Sequence, residues 1–186
     1  MTSMRGRLAW PSGGDAPAVL LHAASASAWR GPTGTEYRDD GGTWDDHDRA
    51  SNVDDPLGLV AFGAEGVHEA LVLGGEPLPS TYVPELAIVL RWWYARSEAD
   101  LLAAVETRLP HVRWEPGVTW QIPPGGLVMI DAGFSWSDHF GPDALTHIAP
   151  LPIDLPAGRY RIETAGVEHR DPEATAVIHR FMPAPI

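Results

Sequence analysis

Glycine and proline interrupt this chain so often that long helices have little room to form. Nineteen Gly and eighteen Pro stand among its 186 residues. Proline lacks the amide donor that a helix interior or a central strand needs, and glycine supplies turns. Between the breaks, the apolar runs are short and rich in β-branched and aromatic residues, which suits strands. The fold expected is therefore α+β and mainly β, with antiparallel sheets packed in a sandwich-like way and a single helix near residues 97–109.

That helix is the clearest element in the sequence. Ser97 is a good N-cap with Asp100 three residues on, acids occupy the first turn, Arg108 sits in the last, and Pro110 follows. Leu101, Leu102, Val105 and Leu109 fall at helical spacing on one face, which should pack on a sheet. Strands are expected at Arg7–Trp10, Ala18–His22, Leu57–Phe62, Glu69–Leu73, Thr81–Val83 and Leu86–Tyr94. Further strands follow at Val112–Trp114, Val118–Ile122, Leu127–Asp131, Pro152–Leu155, Gly158–His169 and Ala174–Phe181. Turns at Gly63–Gly66 and around Asp171-Pro172-Glu173 should close two hairpins. Residues 23–55 have little periodicity and read as a loop excursion anchored by Trp29, Tyr37 and Trp44, with a short helical turn near Asp45–Asn52. Trp92, Trp93, Trp114 and Trp120 lie in apolar runs and are expected in the core or on a sheet face. One domain over residues 1–186 is expected, with a possible sub-division into an α+β part at 1–110 and a β layer at 111–186.

Composition excludes several functions. The net charge of −12 speaks against nucleic acid as a partner. The chain contains no Cys, which removes disulfides, thiolate metal sites and cysteine nucleophiles. All thirteen basic residues are Arg. The N-terminus lacks the apolar stretch of a signal peptide. Leu86–Tyr94, the most apolar run, carries Arg91 and is far shorter than the roughly 20 residues of a membrane span. No membrane partner is expected, and the cytoplasm is the expected location.

Acidic clustering is the strongest local feature. Glu36, Asp39, Asp40, Asp45, Asp46, Asp48, Asp54 and Asp55 stand against Arg38 and Arg49, a balance of −6 within a chain of −12. A solvated, solubilising loop is one reading. The sharper one is a surface for a basic partner protein, with Tyr37, Asp39, Asp40, Trp44, Asp45, Asp46, Asp48, Asp54 and Asp55 as contact residues. A metal site at Asp45, Asp46, His47 and Asp48 fails the calcium-loop spacing and has no second His four residues on, so no metal or cofactor is expected. No Ser stands in a G-x-S-x-G context, the eight His are scattered, and no Gly-rich piece has phosphate-loop context, so no catalytic residues are assigned. Asp131, Asp138 and His139, at the end of an expected strand, are the nearest approach to an enzyme site.

Several segments together carry a resemblance. W-R-G at Trp29–Gly31, D-H-D-R-A at Asp46–Ala50, ALVLGGEPLPSTYVPE at Ala70–Glu85, VLRWWYARSEADLL at Val89–Leu102, LVMIDAG at Leu127–Gly133 and LPAGRYRIETAGVE at Leu155–Glu168 follow in order. In this pattern the chain resembles the bacterial polymorphic-toxin immunity proteins of immunity family twenty-one, from about Trp10 to Met182. It departs at Arg96, where the family usually has aspartate, at Ser51, often a cysteine, and at Asp131-Ala132-Gly133, usually Asp-Ser-Ala. The resemblance implies a mainly β fold and neutralisation of a cognate toxin domain encoded nearby, without catalysis. The alternative is a small metal-dependent enzyme or carbohydrate-binding β module using Asp45, His47, Asp48 or Asp131.

Overall fold

In the computed structural model, residues 8–34, 44–140 and 148–185 are described. Among these residues ten strands form: β1 (Ala18–His22), β2 (Gly58–Phe62), β3 (His68–Leu73), β4 (Ser80–Val83), β5 (Ile88–Ala95), β6 (Glu115–Ile122), β7 (Leu127–Asp131), β8 (Leu151–Ile153), β9 (Gly158–Arg170) and β10 (Glu173–Pro183). Two α-helices among the described residues join them, α1 (Asp46–Ser51) and α2 (Glu98–Arg108). The strands make two five-stranded sheets, in the orders β2-β3-β1-β7-β8 and β4-β5-β10-β9-β6. Every pairing is antiparallel. The expected α+β, mainly β class is the observed one.

Apolar residues alternate to three places. One set faces inward between the sheets: Leu20, Leu71 and Met129 from the first, Val89, Trp120 and Ile162 from the second. A second set (Val19, Leu21, Val72, Val128, Ile130) lies on the outer face of the first sheet under Ala26, Trp29 and Ala50. The third (Ile88, Leu90, Val167, Ala176, Ile178) lies on the outer face of the second sheet under Leu101, Leu102 and Val105 of α2. Central strands are therefore covered on both faces, and β1 (AVLLH) and β7 (LVMID) read as nearly continuous apolar runs. Each fully buried Leu or Ile contributes about 1.5–3 kcal/mol, so this layering supplies the main driving force.

Both expected hairpins form, β2 with β3 and β9 with β10. Both sheets draw strands from either side of residue 110: β1 pairs with β7, and β5 with β10. A cut at that residue would separate hydrogen-bonded partners. Some expectations differ from what is observed. Residues 8–10 are irregular rather than a strand, with their donors taken by Glu98: its Oε1 accepts the Leu8 amide at 3.2 Å and its Oε2 the Trp10 indole at 2.9 Å; Arg7 lies outside the described residues. Val112–Trp114 is extended but unpaired, and Trp114 instead lies under the Arg180 guanidinium, 4.2 Å from the ring centroid. Of the core or sheet-face positions expected for the Trp residues, Trp120 takes the core and Trp93 an open sheet face, 58% exposed near the end of β5.

Candidate functional site

The acidic segment is organised around the start of α1. Asp45 is the N-cap: its carboxylate accepts the Asp48 amide at 2.8 Å while the Asp48 carboxylate accepts the Asp45 amide at 3.2 Å, a reciprocal capping box. Asp45 also accepts the Thr33 amide at 2.7 Å, and Asp46 accepts the Arg30 amide at 2.8 Å. Arg49 turns back to donate to the Asp46 carboxylate and the Trp44 carbonyl. Asp45 and Asp46 are consequently buried, and Ala50 is pressed onto the sheet. A carboxylate so placed is stable because charged hydrogen bonds replace its hydration.

Two of the quoted sequence motifs meet here. Trp29, 1% exposed, donates its indole to the Phe134 carbonyl at 3.1 Å, and its own carbonyl accepts the Trp136 amide at 3.0 Å. Arg30 docks on Asp46. Gly31 follows at φ +61, where a Cβ would come within 2.7 Å of the Phe134–Ser135 backbone, so only glycine fits. W-R-G and D-H-D-R-A are thus two halves of one joint. Beside it, Trp136 and Phe140 pack at 4.9 Å, with Phe140 54% exposed.

A second joint carries the end of the acidic segment. Arg91 is 2% exposed on β5, and its guanidinium donates to the Gly74 carbonyl at 2.9 Å and the Glu76 carbonyl at 2.6 Å. Burial pushes its pKa down to about 10, so it remains charged at neutral pH. The segment it holds in turn grips residues 53–55: the Gly75 amide donates to the Val53 carbonyl at 2.8 Å, and a Cβ on Gly74 would collide with the Val53 and Asp55 carbonyls. Asp54 and Asp55 emerge from this strap exposed.

The expected contact residues therefore divide. Trp44, Asp54 and Asp55 are exposed; Asp48 is half-buried in the capping box; Asp45 and Asp46 are buried in intramolecular bonds; Tyr37, Asp39 and Asp40 lie outside the described residues. Sequence reasoning missed Arg91, whose signal was a lone charge inside an apolar strand run, and the Trp136–Phe140 pair, which carried no signal beyond composition.

Two of the remaining polar candidates, Asp131 and Asp138, hold the fold together. Asp131 accepts the Gly133 amide at 2.9 Å and the Gly13 amide at 3.3 Å, tying the N-terminal segment to the end of β7, and burial raises its carboxyl pKa. Asp138 accepts the Ser135 amide at 2.7 Å and caps the turn Trp136–His139. Desolvation lowers the His139 pKa, with Asp138 and Asp131 acting against it. His169 and His179 lie on the two strands of the β9–β10 hairpin, His169 paired with Ala174 and His179 with Thr164. His179 is fully buried, and its Nδ1 lies 2.9 Å from the Thr164 hydroxyl; burial, reinforced by Arg91, pushes its pKa down to about 3. Among the described residues, no three His, Asp or Glu side chains gather as a metal site would require.

A family model described as Immunity protein 21 matches residues 9–173. The chain belongs to that family. The match spans β1 to β9 and both joints around α1 and Arg91. No curated protein and no solved structure matches the chain significantly. Membership makes this an immunity protein, a class whose partner is a toxin protein. Among the described residues, no helix of the immunity protein is long and apolar enough to cross a membrane.

Proposed function

We propose that this immunity protein neutralises one cognate bacterial toxin domain by binding it directly, without catalysis, in the cytoplasm of the cell that makes both. The surface proposed is the acidic, aromatic one around α1. The observation that supports it is the division of labour among its acids. Asp45, Asp46 and Asp48 fix the start of α1, while Trp44, 38% exposed, and the exposed Asp54 and Asp55 are presented on anchored backbone. A Trp on anchored backbone beside negative charge suits a binding hot spot for a basic surface, since less entropy is lost on docking. Tyr37, Asp39 and Asp40 belong to the same proposed contact. A toxin whose cleft is basic because it holds phosphate, such as a nuclease, fits this charge.

Co-expression with the toxin domain from the neighbouring reading frame tests both levels. Wild-type protein should restore growth, and a folded Trp44→Ala/Asp54→Asn/Asp55→Asn variant should not. Failure of the wild type to protect overturns the immunity reading; full protection by the variant overturns the choice of surface.

A further inference from the structure

A groove lies at the far end of β5, apart from the α1 joint. Trp10, Leu78, Pro79, Trp92, Trp93 and Glu98 line it, and its volume is about 650 Å³. Three chain segments fix its walls. Trp10 and Trp92 pack at 5.4 Å with rings inclined by 57°. The Glu98 carboxylate holds the Trp10 indole and the Leu8 amide. The Trp92 amide donates to the Pro79 carbonyl at 2.8 Å, and Ser12 bridges to Ser80. Trp93 is left 58% exposed, a large apolar surface that water solvates poorly.

We propose that this groove accepts an arginine side chain from an extended segment of a partner protein. Three indoles and one carboxylate attract a cation, because the ring faces are electron-rich and the carboxylate adds full charge. The whole chain, at −12, draws the same sign of partner. Arginine suits the groove better than lysine, because a planar guanidinium stacks on indole and sheds its water more readily. The molecule already uses this pairing internally, with the Arg180 guanidinium 4.2 Å from the Trp114 ring centroid. Leu78 and Pro79 provide apolar wall for the residues flanking the arginine. The inference stands independently of the surface assigned around α1.

The test follows the tryptophan indole resonances of the full chain by nuclear magnetic resonance during titration with N-acetyl-arginine amide. Its neutral isostere, N-acetyl-citrulline amide, and a pentapeptide with arginine between alanines are titrated in parallel. The expected result is saturable shifts of Trp10, Trp92 and Trp93 at millimolar arginine probe, little change with citrulline, and several-fold tighter binding of the peptide. Trp93→Ala should weaken arginine binding by about fivefold or more, roughly one aromatic contact's worth. Glu98→Gln should weaken it as well while leaving citrulline unaffected. Equal binding of citrulline, no saturable shift, or peptide binding weaker than the single residue overturns the proposal. The Trp44 resonance should not move, which separates this outcome from the fate of the α1 surface.

Discussion

Replacing Asp46 with alanine separates acids that fold the protein from acids that face solvent. Asp46 is 3% exposed and accepts two bonds, the Arg30 amide at 2.8 Å and the Arg49 guanidinium. Arg49 is partly solvated, so its ion pair contributes less than about 1 kcal/mol. The Arg30 amide is the larger loss: a hydrogen bond to a charged group contributes about 1.5–3 kcal/mol, and the donor stays partly buried with no acceptor. Asp46→Ala should therefore lower unfolding free energy by about 2–3 kcal/mol. Asp54→Asn and Asp55→Asn, at exposed positions, should stay within about 0.5 kcal/mol of wild type. Urea unfolding followed by tryptophan fluorescence measures all three, with the slope checked for constancy. The reasoning is refuted if Asp46→Ala costs less than about 0.5 kcal/mol, or if either exposed variant costs as much.

Other perturbations follow from the same geometry. Arg91→Lys loses the planar fork whose two nitrogens each reach one carbonyl, and chemical denaturation should show a loss of about 2 kcal/mol. Gly74→Ala drives a methyl into the Val53 and Asp55 carbonyls; it should cost about 1–3 kcal/mol by denaturant midpoint and shift the amide resonances of residues 53–55. His179 is held neutral in the fold while the unfolded chain takes up a proton near pH 6.5, so the unfolded state binds more protons between about pH 3 and 6.5 and stability falls as pH drops through that window. From pH 7 to pH 5 this loss is about 2 kcal/mol. His179→Gln, which keeps a partner for Thr164, should show a smaller pH dependence by that amount.

Much of the architecture is legible in the sequence, because the signals are local. The capping pattern at Ser97 and the apolar face ending at Pro110 placed α2, and the turn at Gly63–Gly66 placed the β2–β3 hairpin. What stayed hidden was set by distant partners. Nothing local shows that Leu8 and Trp10 answer to Glu98 instead of a neighbouring strand. Val112–Trp114 has strand composition, but no ladder partner lies beside it. The acidic run was visible as charge, while its split into buried and exposed members depended on amides at Arg30 and Thr33 that only the fold brings near. Arg91 was readable as an oddity in an apolar strand and unreadable as the bracket of residues 74–76.

The central claim is that the acidic surface around α1 makes the toxin contact. Association kinetics of the purified toxin domain with wild-type protein and with the Trp44→Ala/Asp54→Asn/Asp55→Asn variant, across a range of salt, test it most directly. The expected result is a one-to-one complex whose association rate falls steeply with salt in the wild type. The variant should bind at least about tenfold more weakly, with a flatter salt dependence. Equal affinity and an equal salt slope for the two proteins would contradict the claim.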